Sequence, residues 1–266
     1  MIVIILAAGR GARLELGQKS KFGFSIPFLL LNSETLGQGR PLLRDEFLVE
    51  NVFRALEGEG SLSYLFVLGY RFVENTPLLA FLAQKYGARI NYVVNPWFAE
   101  TNTAYSLHLA LESLWHNGYQ DDLLILNGDN YLCRRTWQRL RQERRQGGSF
   151  LVIDPVRPLT PESFKIKLQG GVILDMGKHL RPEESQGEFI GVSFWQRQHV
   201  PLLVEAVREM VASNRQEYYD RAFIPLSHRG LLRYVFLREG ECWTEIDFPE
   251  DLRGLREILA QEDAAP

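Results

Sequence analysis

The 266-residue sequence has few cysteines, no long apolar run and no excess of basic residues. Its two cysteines, Cys133 and Cys242, are far apart and lack CxxC spacing, which argues against a disulfide framework or a zinc site. We therefore expect the protein in the reducing cytoplasm. Apolar runs such as residues 2–8 are too short to cross a bilayer, and the N-terminus lacks a basic signal-peptide region. Because 30 basic residues oppose 33 acidic ones, we expect neither a nucleic-acid partner nor a membrane partner.

The first half of the chain alternates short β-branched runs with longer amphipathic stretches. Strands are predicted at residues 2–6, 65–69, 89–94 and 123–129. Helices are predicted at residues 44–58, 74–87 and 102–118. This alternation favours an α/β fold with a parallel sheet, in which ligands bind beyond the carboxyl ends of the strands. Residues at or just beyond the carboxyl ends of these predicted strands are Gly9, Gly69, Asn95 and Asp129.

The second half of the chain contains more strands than helices. Apolar runs between residues 149 and 248 predict strands joined by turns, with one helix near residues 200–213 and a closing helix near 249–260. We find no repeat, low-complexity segment or linker. The sequence therefore predicts a single α/β domain, with a strand-rich subdomain inserted around residues 151–240.

The glycine-rich stretch after the first strand, ILAAGRGARLELGQKSKF (5–22), is typical of a phosphate-binding loop. A dinucleotide fingerprint would need a third glycine where Leu14 stands. A P-loop fails as well, because Ala12 replaces its first glycine and Gln18 separates Gly17 from Lys19. The string LAAGRGARL (6–14) instead resembles the L-A-A-G-x-G-x-R-L signature of NTP-dependent nucleotidyltransferases, which include the sugar nucleotidyltransferases and MobA-like proteins.

Elementary chemistry supports this resemblance. Small residues let the backbone approach a flat base, and the turn from Gly9 to Arg13 directs N–H donors towards phosphate. Arg13 can add a bidentate phosphate contact, although a tight turn with a surface arginine is the alternative. The resemblance implies a Rossmann-like, three-layer, GT-A-like nucleotidyltransferase fold with a mainly parallel mixed sheet. Residues 1–150 and 241–266 would bind the NTP, and residues 151–240 would bind the acceptor.

A lysine at the end of the loop is the second catalytic candidate beside Arg13. The family pattern ends in Pro-Lys, and the matching dipeptide here is Ser20-Lys21, so the resemblance favours Lys21. The proline is absent, and residues 22–38 are inserted before the family's next motif, GRPLL (39–43). Lys19 therefore stays an alternative.

Two aspartates are predicted to hold Mg²⁺. Nucleotidyl transfer brings two anions together, and Mg²⁺ neutralises them through carboxylate and phosphate oxygens. Asp129 follows the apolar run LLILNG, and Asp247 lies in CWTEIDFPEDL, where the family carries its second metal ligand. Strand periodicity places Glu245 on the same face as Asp247, whereas Asp251 is predicted to cap the following helix.

Two further stretches narrow the resemblance. NPWFAETNTAYSLHLA (95–110) and GEFIGVSFW (187–195) resemble the choline-phosphate cytidylyltransferases of the bacterial LicC type. That branch implies CTP as donor, pyrophosphate as product and phosphocholine, phosphoethanolamine or aminoethylphosphonate as acceptor. The residues that the loop and this resemblance nominate for the nucleotide are Leu6, Ala7, Ala8, Gly9, Gly11, Arg13, Asn102, Thr103, Ser106 and Gly128.

The acceptor site is predicted from its chemistry. An amine headgroup favours aromatic faces beside a carboxylate, because cation–π contact and Coulomb attraction act together. The residues nominated for the acceptor are Glu188, Gly191, Trp195, Tyr219 and Asp220. Tyr218 and Trp243 are further candidates.

Two other functions stay open at this point. One is a sugar-1-phosphate nucleotidyltransferase that uses UTP, GTP or dTTP. The other is a non-catalytic nucleotide-binding module, which the missing proline and the insert would suit, although a binding module has little need for two metal carboxylates. A homodimer is likewise left open.

Overall fold

The computed structural model describes residues 1–11, 13, 26–31 and 46–264. The strands are β1 (Ile2–Ala7), β2 (Leu30–Leu31), β3 (Glu46–Phe47), β4 (Ser63–Leu68), β5 (Arg89–Val94), β6 (Leu123–Asn127), β7 (Asn130–Leu132), β8 (Ser149–Asp154), β9 (Lys165–Gln169), β10 (Val172–Gly177), β11 (Gly187–Trp195), β12 (Leu232–Phe236) and β13 (Trp243–Glu245). The α-helices are α1 (Glu50–Ala55), α2 (Phe72–Tyr86), α3 (Thr103–His116), α4 (Arg134–Gln146), α5 (Val200–Ser213), α6 (Phe223–His228) and α7 (Asp251–Ala264). Within these residues, no helix combines the length and the apolar character needed to cross a bilayer.

One large mixed sheet forms the centre of the molecule. Its strands run in the order β12–β8–β11–β6–β1–β4–β5, and the hairpin β9–β10 pairs with the first residues of β11. β1 is parallel to both β4 and β6, while β11 is antiparallel to β6 and β8. The predicted mixed sheet with a parallel centre is therefore confirmed.

Helices cover both faces of this sheet. Along β1, Ile2 and Ile4 pack on the face covered by α3, α5 and α6, whereas Val3 and Ile5 pack on the face covered by α1, α2 and α4. This alternation follows from the two-residue period of a strand. A smaller cluster that includes Tyr131, Ile246 and Leu255 lies under α7. The predicted three-layer α/β fold is confirmed.

The structure differs from the prediction at two helices. The helix predicted over residues 44–58 begins only at Glu50, because Glu46 and Phe47 form β3. Glu50 fixes this later start by accepting a 2.9 Å hydrogen bond from the Phe47 N–H through Oε1. The short helix α6 was not predicted, since six residues are too few for a helical period to emerge. The strands of residues 151–240 pair within the main sheet. The division of the chain into an NTP-binding part (residues 1–150 and 241–266) and an acceptor-binding part (residues 151–240) stays a prediction.

Candidate active site

A cavity of about 350 Å³ opens where the parallel strands β1 and β6 end. The predicted site residues that line it are Leu6, Ala8, Gly9, Arg13, Asn102, Thr103, Ser106, Asp129, Glu188, Gly191, Tyr219, Asp220 and Asp247. Sequence positions more than 200 residues apart thus meet in one space, because the topology brings both ends of the chain to the same sheet edge. Lys19 and Lys21 lie outside the described residues.

Three of the predicted nucleotide-binding residues support the cavity without lining it. Ala7 is buried on the far face of the sheet, among the side chains of α1 and α2. Gly11 has φ +63°, and a Cβ there would lie 2.7 Å from Ile26 Cδ1. The Gly128 N–H donates a 2.9 Å hydrogen bond to the Leu6 carbonyl, so this donor is already used. None of the three is among the described residues that line the cavity, and their contacts with the nucleotide stay predictions.

Trp195 is a fourth predicted site residue that does not line the cavity. It ends β11, pairs with Leu123 at the start of β6, and its side chain is 0% exposed. Its ring nitrogen donates a 3.0 Å hydrogen bond to Ser193 Oγ, which satisfies its one polar atom within the core. Trp195 thus sits at the opposite end of the sheet from the cavity, and its predicted role in binding the acceptor is wrong.

A three-carboxylate cluster lies at the cavity wall. The small ribbon of β7 and β13 pairs Glu245 with Asn130, which places Glu245 beside Asp129. Carboxylate oxygens of Asp129, Glu245 and Asp247 all lie within 4.8 Å of one another. The Oδ1 atom of Asp129 is buried and accepts no hydrogen bond from the described residues. Strand periodicity indicated Glu245 as a neighbour of Asp247, but Glu245 was not predicted to be a metal ligand.

The proximity of these carboxyl groups changes their protonation. Burial and the neighbouring Asp247 raise the pKa of Asp129 to about 7. Burial and Asp129 likewise raise the pKa of Glu245. Burial raises the pKa of Asp247, although the Arg13 guanidinium opposes that shift. Such a cluster favours protons or a bound cation, and its all-oxygen donor set suits Mg²⁺.

Asp251 organises the turn that presents Asp247. Its Oδ2 accepts hydrogen bonds from the backbone N–H of Asp247 at 2.9 Å and of Phe248 at 2.7 Å. Asp251 begins α7, so these bonds close the N-terminal end of the helix. Asp251 is thus structural, as predicted, although its side chain bonds the turn before the helix and not the first N–H groups of the helix.

A chain of ion pairs crosses the mouth of the cavity. Arg13 Nη2 lies 2.8 Å from Asp247 Oδ2, and Arg13 Nη1 lies 3.3 Å from Glu162 Oε2. The same Glu162 oxygen accepts a 3.0 Å hydrogen bond from Lys178 Nζ. Arg13 and Lys178 are the two cationic side chains among the described lining residues. Lys178 and Glu162 were not predicted from the sequence, because each lies in a turn with no motif that marks it.

The start of α3 forms the polar wall opposite the carboxylates. Asn102 Oδ1 accepts a 2.8 Å hydrogen bond from the Thr103 N–H and so caps the helix. Thr103 Oγ1 accepts a 3.2 Å bond from the Tyr219 N–H, and Ser106 Oγ accepts a 3.0 Å bond from Asn95. These side chains therefore both hold the helix start and face the cavity.

Aromatic rings and buried carboxyl groups form the remaining wall. Tyr219 donates its hydroxyl to Asn127 Oδ1 at 3.1 Å and is almost fully buried. Burial raises the pKa of Asp220 to about 8, and it also raises the pKa of Glu188. Gly191 has φ +70°, and a Cβ there would lie 2.6 Å from the Asn127 amide. The glycine therefore leaves room that any side chain would fill.

The largely parallel sheet between two layers of helices is that of a nucleotidyltransferase fold, and the carboxylate cluster lies at the edge of the sheet where β6 ends. No profile of a known protein family matches the chain. The choline-phosphate cytidylyltransferase of Streptococcus pneumoniae (strain ATCC BAA-255 / R6) is 27% identical over 99% of this chain and 100% of that protein. The chain is thus a homologue of a choline-phosphate cytidylyltransferase, and the predicted resemblance is confirmed.

Two solved structures share the fold. CTP:phosphocholine cytidylyltransferase (LicC) from Streptococcus pneumoniae matches with a TM-score of 0.69 and 23% identity, over 97% of this chain and 99% of that chain. The inositol-1-phosphate CTP transferase from T. maritima matches with a TM-score of 0.71 and 18% identity, over 99% of this chain and 96% of that chain. Both similarities extend over nearly the whole length of the molecules.

Proposed function

We propose that this protein is a Mg²⁺-dependent cytidylyltransferase that joins CMP from CTP to a small phosphorylated or phosphonate acceptor. The observation that carries the proposal is the meeting of Asp129, Glu245 and Asp247 in one cavity with Gly9 and Arg13. Nucleotidyl transfer between two anions needs backbone N–H groups that face phosphate, a guanidinium group and a cluster of carboxylates.

The carboxylate cluster is the candidate site for Mg²⁺. Asp129, Glu245 and Asp247 would hold the ion, and Asp129 Oδ1, which has no hydrogen-bond partner among the described residues, supports this assignment. Bound there, Mg²⁺ supplies neutralisation and alignment of phosphate oxygens. Like-charged carboxyl groups this close would otherwise repel one another when ionised, as the raised pKa of Asp129 indicates.

The chain's own cations serve the two anionic reactants. An acceptor phosphate oxygen attacks the α-phosphorus of CTP, the bond to the β-phosphate oxygen breaks, and pyrophosphate leaves. Arg13 offers its planar fork to the triphosphate, and Lys178 offers its ammonium group to the acceptor phosphate. Because positioning and charge neutralisation supply the rate, no covalent enzyme intermediate is needed.

The walls of the cavity favour a pyrimidine donor and an amine-bearing acceptor. The α3 start presents the short polar groups of Asn102, Thr103 and Ser106, which suit the edge of cytosine. Tyr218 and Trp243 line the cavity together with Glu188. Aromatic faces beside carboxyl groups attract a quaternary or primary ammonium, as in phosphocholine, phosphoethanolamine or aminoethylphosphonate.

A polyol phosphate is the second candidate acceptor. The structural match to an inositol-1-phosphate CTP transferase favours it, and Asn127 and Asn130 line the cavity with amide groups that suit hydroxyls. A sugar-1-phosphate nucleotidyltransferase would use the same wall. The non-catalytic alternative is disfavoured by three clustered carboxylates, because a module that only binds nucleotide gains nothing from their repulsion.

The decisive experiment is a matrix of four NTPs against phosphocholine, phosphoethanolamine, aminoethylphosphonate, inositol-1-phosphate and glucose-1-phosphate, scored by pyrophosphate release with Mg²⁺. We expect release with CTP and an amine-bearing acceptor. Release only with UTP, GTP or dTTP and a sugar phosphate would exclude the cytidylyl assignment. No release in any well, from protein that is folded by circular dichroism, would favour the binding module.

A further inference from the structure

The two cysteines of the chain face each other at the end of the β7–β13 ribbon. The ribbon pairs Leu132 with Trp243, so the next pair outward is Cys133 and Cys242. The Cys133 N–H donates to the Cys242 carbonyl at 3.0 Å, and the Cys242 N–H donates to Cys133 Sγ at 3.1 Å. Directly opposite residues in a hydrogen-bonded antiparallel pair have Cα atoms about 5.5 Å apart, inside the range of disulfide bonds.

The surroundings make Cys133 the more acidic thiol. Cys133 occupies the N-cap position of the 13-residue helix α4, where the helix dipole favours a negative charge. Hydrogen bonds from Cys242, and a weaker set with Thr136, lower the pKa of Cys133 to about 5 although burial opposes this shift. The pKa of Cys242 is raised by the same contact. The surroundings thus favour the thiolate form at Cys133 and the thiol form at Cys242.

Access also differs between the two sulfur atoms. Cys133 is 4% exposed, whereas Cys242 is half-buried. A peroxide is small enough to reach such a site when the end of the ribbon opens locally. A larger oxidant, such as a small-molecule disulfide, would need a wider opening. Hydrogen peroxide is therefore the oxidant that fits the site.

We propose that Cys133 and Cys242 form a reversible disulfide when a peroxide oxidises them. The Cys133 thiolate attacks one peroxide oxygen, the O–O bond breaks, and Cys133 becomes a sulfenic acid as hydroxide leaves. The Cys242 sulfur then displaces the second hydroxide, and the S–S bond forms. In total, two thiols and one hydrogen peroxide give one disulfide and two water molecules. A dithiol restores both thiols by exchange.

The disulfide would restrain the β7–β13 ribbon, which positions the carboxylate cluster. β13 carries Glu245, and Asp129 immediately precedes β7, so a covalent link at the ribbon's open end restrains both strands. We expect backbone amides of Tyr131 and Thr244 to exchange with solvent about tenfold more slowly after oxidation, because local opening of the ribbon is suppressed. This inference is independent of the proposed function, since none of its readouts uses turnover.

The test begins with the full chain, reduced and then freed of reductant. Near-stoichiometric hydrogen peroxide should lower the number of titratable thiols in the denatured chain from two to zero. Peptide mapping should recover a Cys133–Cys242 linked peptide from protein that stays monomeric on a non-reducing gel, and dithiothreitol should restore both thiols. Two unreacted thiols, stable sulfinic acid, or dimers linked by disulfides would overturn the proposal.

Single variants separate the two roles. Cys242→Ser should still react with peroxide and accumulate a sulfenic acid that dimedone traps, because the partner thiol is gone. Cys133→Ser should react about tenfold more slowly, since it retains only the protonated thiol. Equal reaction rates for the two variants would contradict the assigned roles. If either variant fails to fold, the peptide map of the unaltered chain still decides whether the bond forms.

Discussion

Arg13 Nη2 and Asp247 Oδ2 lie 2.8 Å apart, so an ion pair joins the segment after β1 to the carboxylate cluster. The two side chains are 41% and 21% exposed. Ion pairs with this much solvent access contribute about 0–1 kcal/mol, so an incoming phosphate and a cation can separate them at little cost. The ion pair therefore keeps the Arg13 and Asp247 side chains at the cavity, and ligands can separate them at little energetic cost.

Replacing Arg13 should reduce turnover far more than stability. We expect Arg13→Ala to lower kcat/KM about 100-fold or more, because a preorganised cation that faces developing charge is lost. Arg13→Lys should recover part of this loss, since it keeps the charge but not the fork. Steady-state pyrophosphate release measures both. Arg208→Ala, which removes a surface pair with Glu112, is the control and should leave kcat/KM unchanged. Equal rates for Arg13→Ala and this control would exclude Arg13 from the site.

Neutralising Asp129 should stabilise the metal-free protein while abolishing turnover. Asp129→Asn removes a charge that is buried beside two other carboxyl groups, so we expect the melting temperature in EDTA to rise by about 2–4 °C. Added Mg²⁺ should raise the melting temperature of the unaltered chain and leave that of the variant unchanged. Calorimetry with and without Mg²⁺ measures both effects. The exposed substitution Glu257→Gln is the control, and Mg²⁺ stabilisation of Asp129→Asn equal to that control would remove Asp129 as a ligand.

Sequence alone located the parts of the site that stand at the end of a regular element. Asp129 follows an apolar strand and Asn102 caps a helix, and both features are local enough to be visible in the sequence. Lys178 also follows a strand, but β10 belongs to a hairpin whose place in the sheet the sequence does not show, and Glu162 lies in a turn. Long-range packing brings both residues to the cavity, where Glu162 pairs with Arg13 and with Lys178. Periodicity shows that a residue is buried, but it does not show at which end of the sheet a strand residue lies. That limit explains the error at Trp195.

Trp195 should matter for stability and not for acceptor binding. Trp195→Phe leaves a gap in a fully buried site and removes the donor to Ser193, so we expect a loss of about 1–2 kcal/mol in the free energy of unfolding. The KM for the acceptor should stay within twofold of the original value. Urea unfolding and acceptor titrations check the two parts. A tenfold rise in the KM for the acceptor would show that Trp195 contributes to acceptor binding.

Lys178 is expected to act on the acceptor and not on the nucleotide. Lys178→Met removes the ammonium group but keeps a similar apolar stem, so the KM for the phosphorylated acceptor should rise about 10–100-fold. The KM for CTP should change less than threefold. Lys167→Met is the matched control, because that lysine pairs with Glu184 outside the cavity. Initial rates at varied acceptor and at varied CTP separate the two effects, and a rise in the KM for CTP alone would assign Lys178 to the triphosphate.

Asp220 should make the stability of the protein depend on pH. Burial raises its pKa to about 8 in the folded state, whereas an aspartate in an unfolded chain titrates near 3.9. Between these values the folded chain holds a proton that the unfolded chain lacks, so this contribution to stability is complete below about pH 4 and is lost as the pH rises to about 8. Asp220→Asn does not titrate, so its free energy of unfolding should fall less between pH 5 and pH 8 than that of the unaltered chain. Urea unfolding in EDTA at both pH values measures the difference, with the exposed substitution Glu239→Gln as the control. If Asp220→Asn and Glu239→Gln lose the same stability over this range, the Asp220 carboxyl group does not hold its proton in the folded protein.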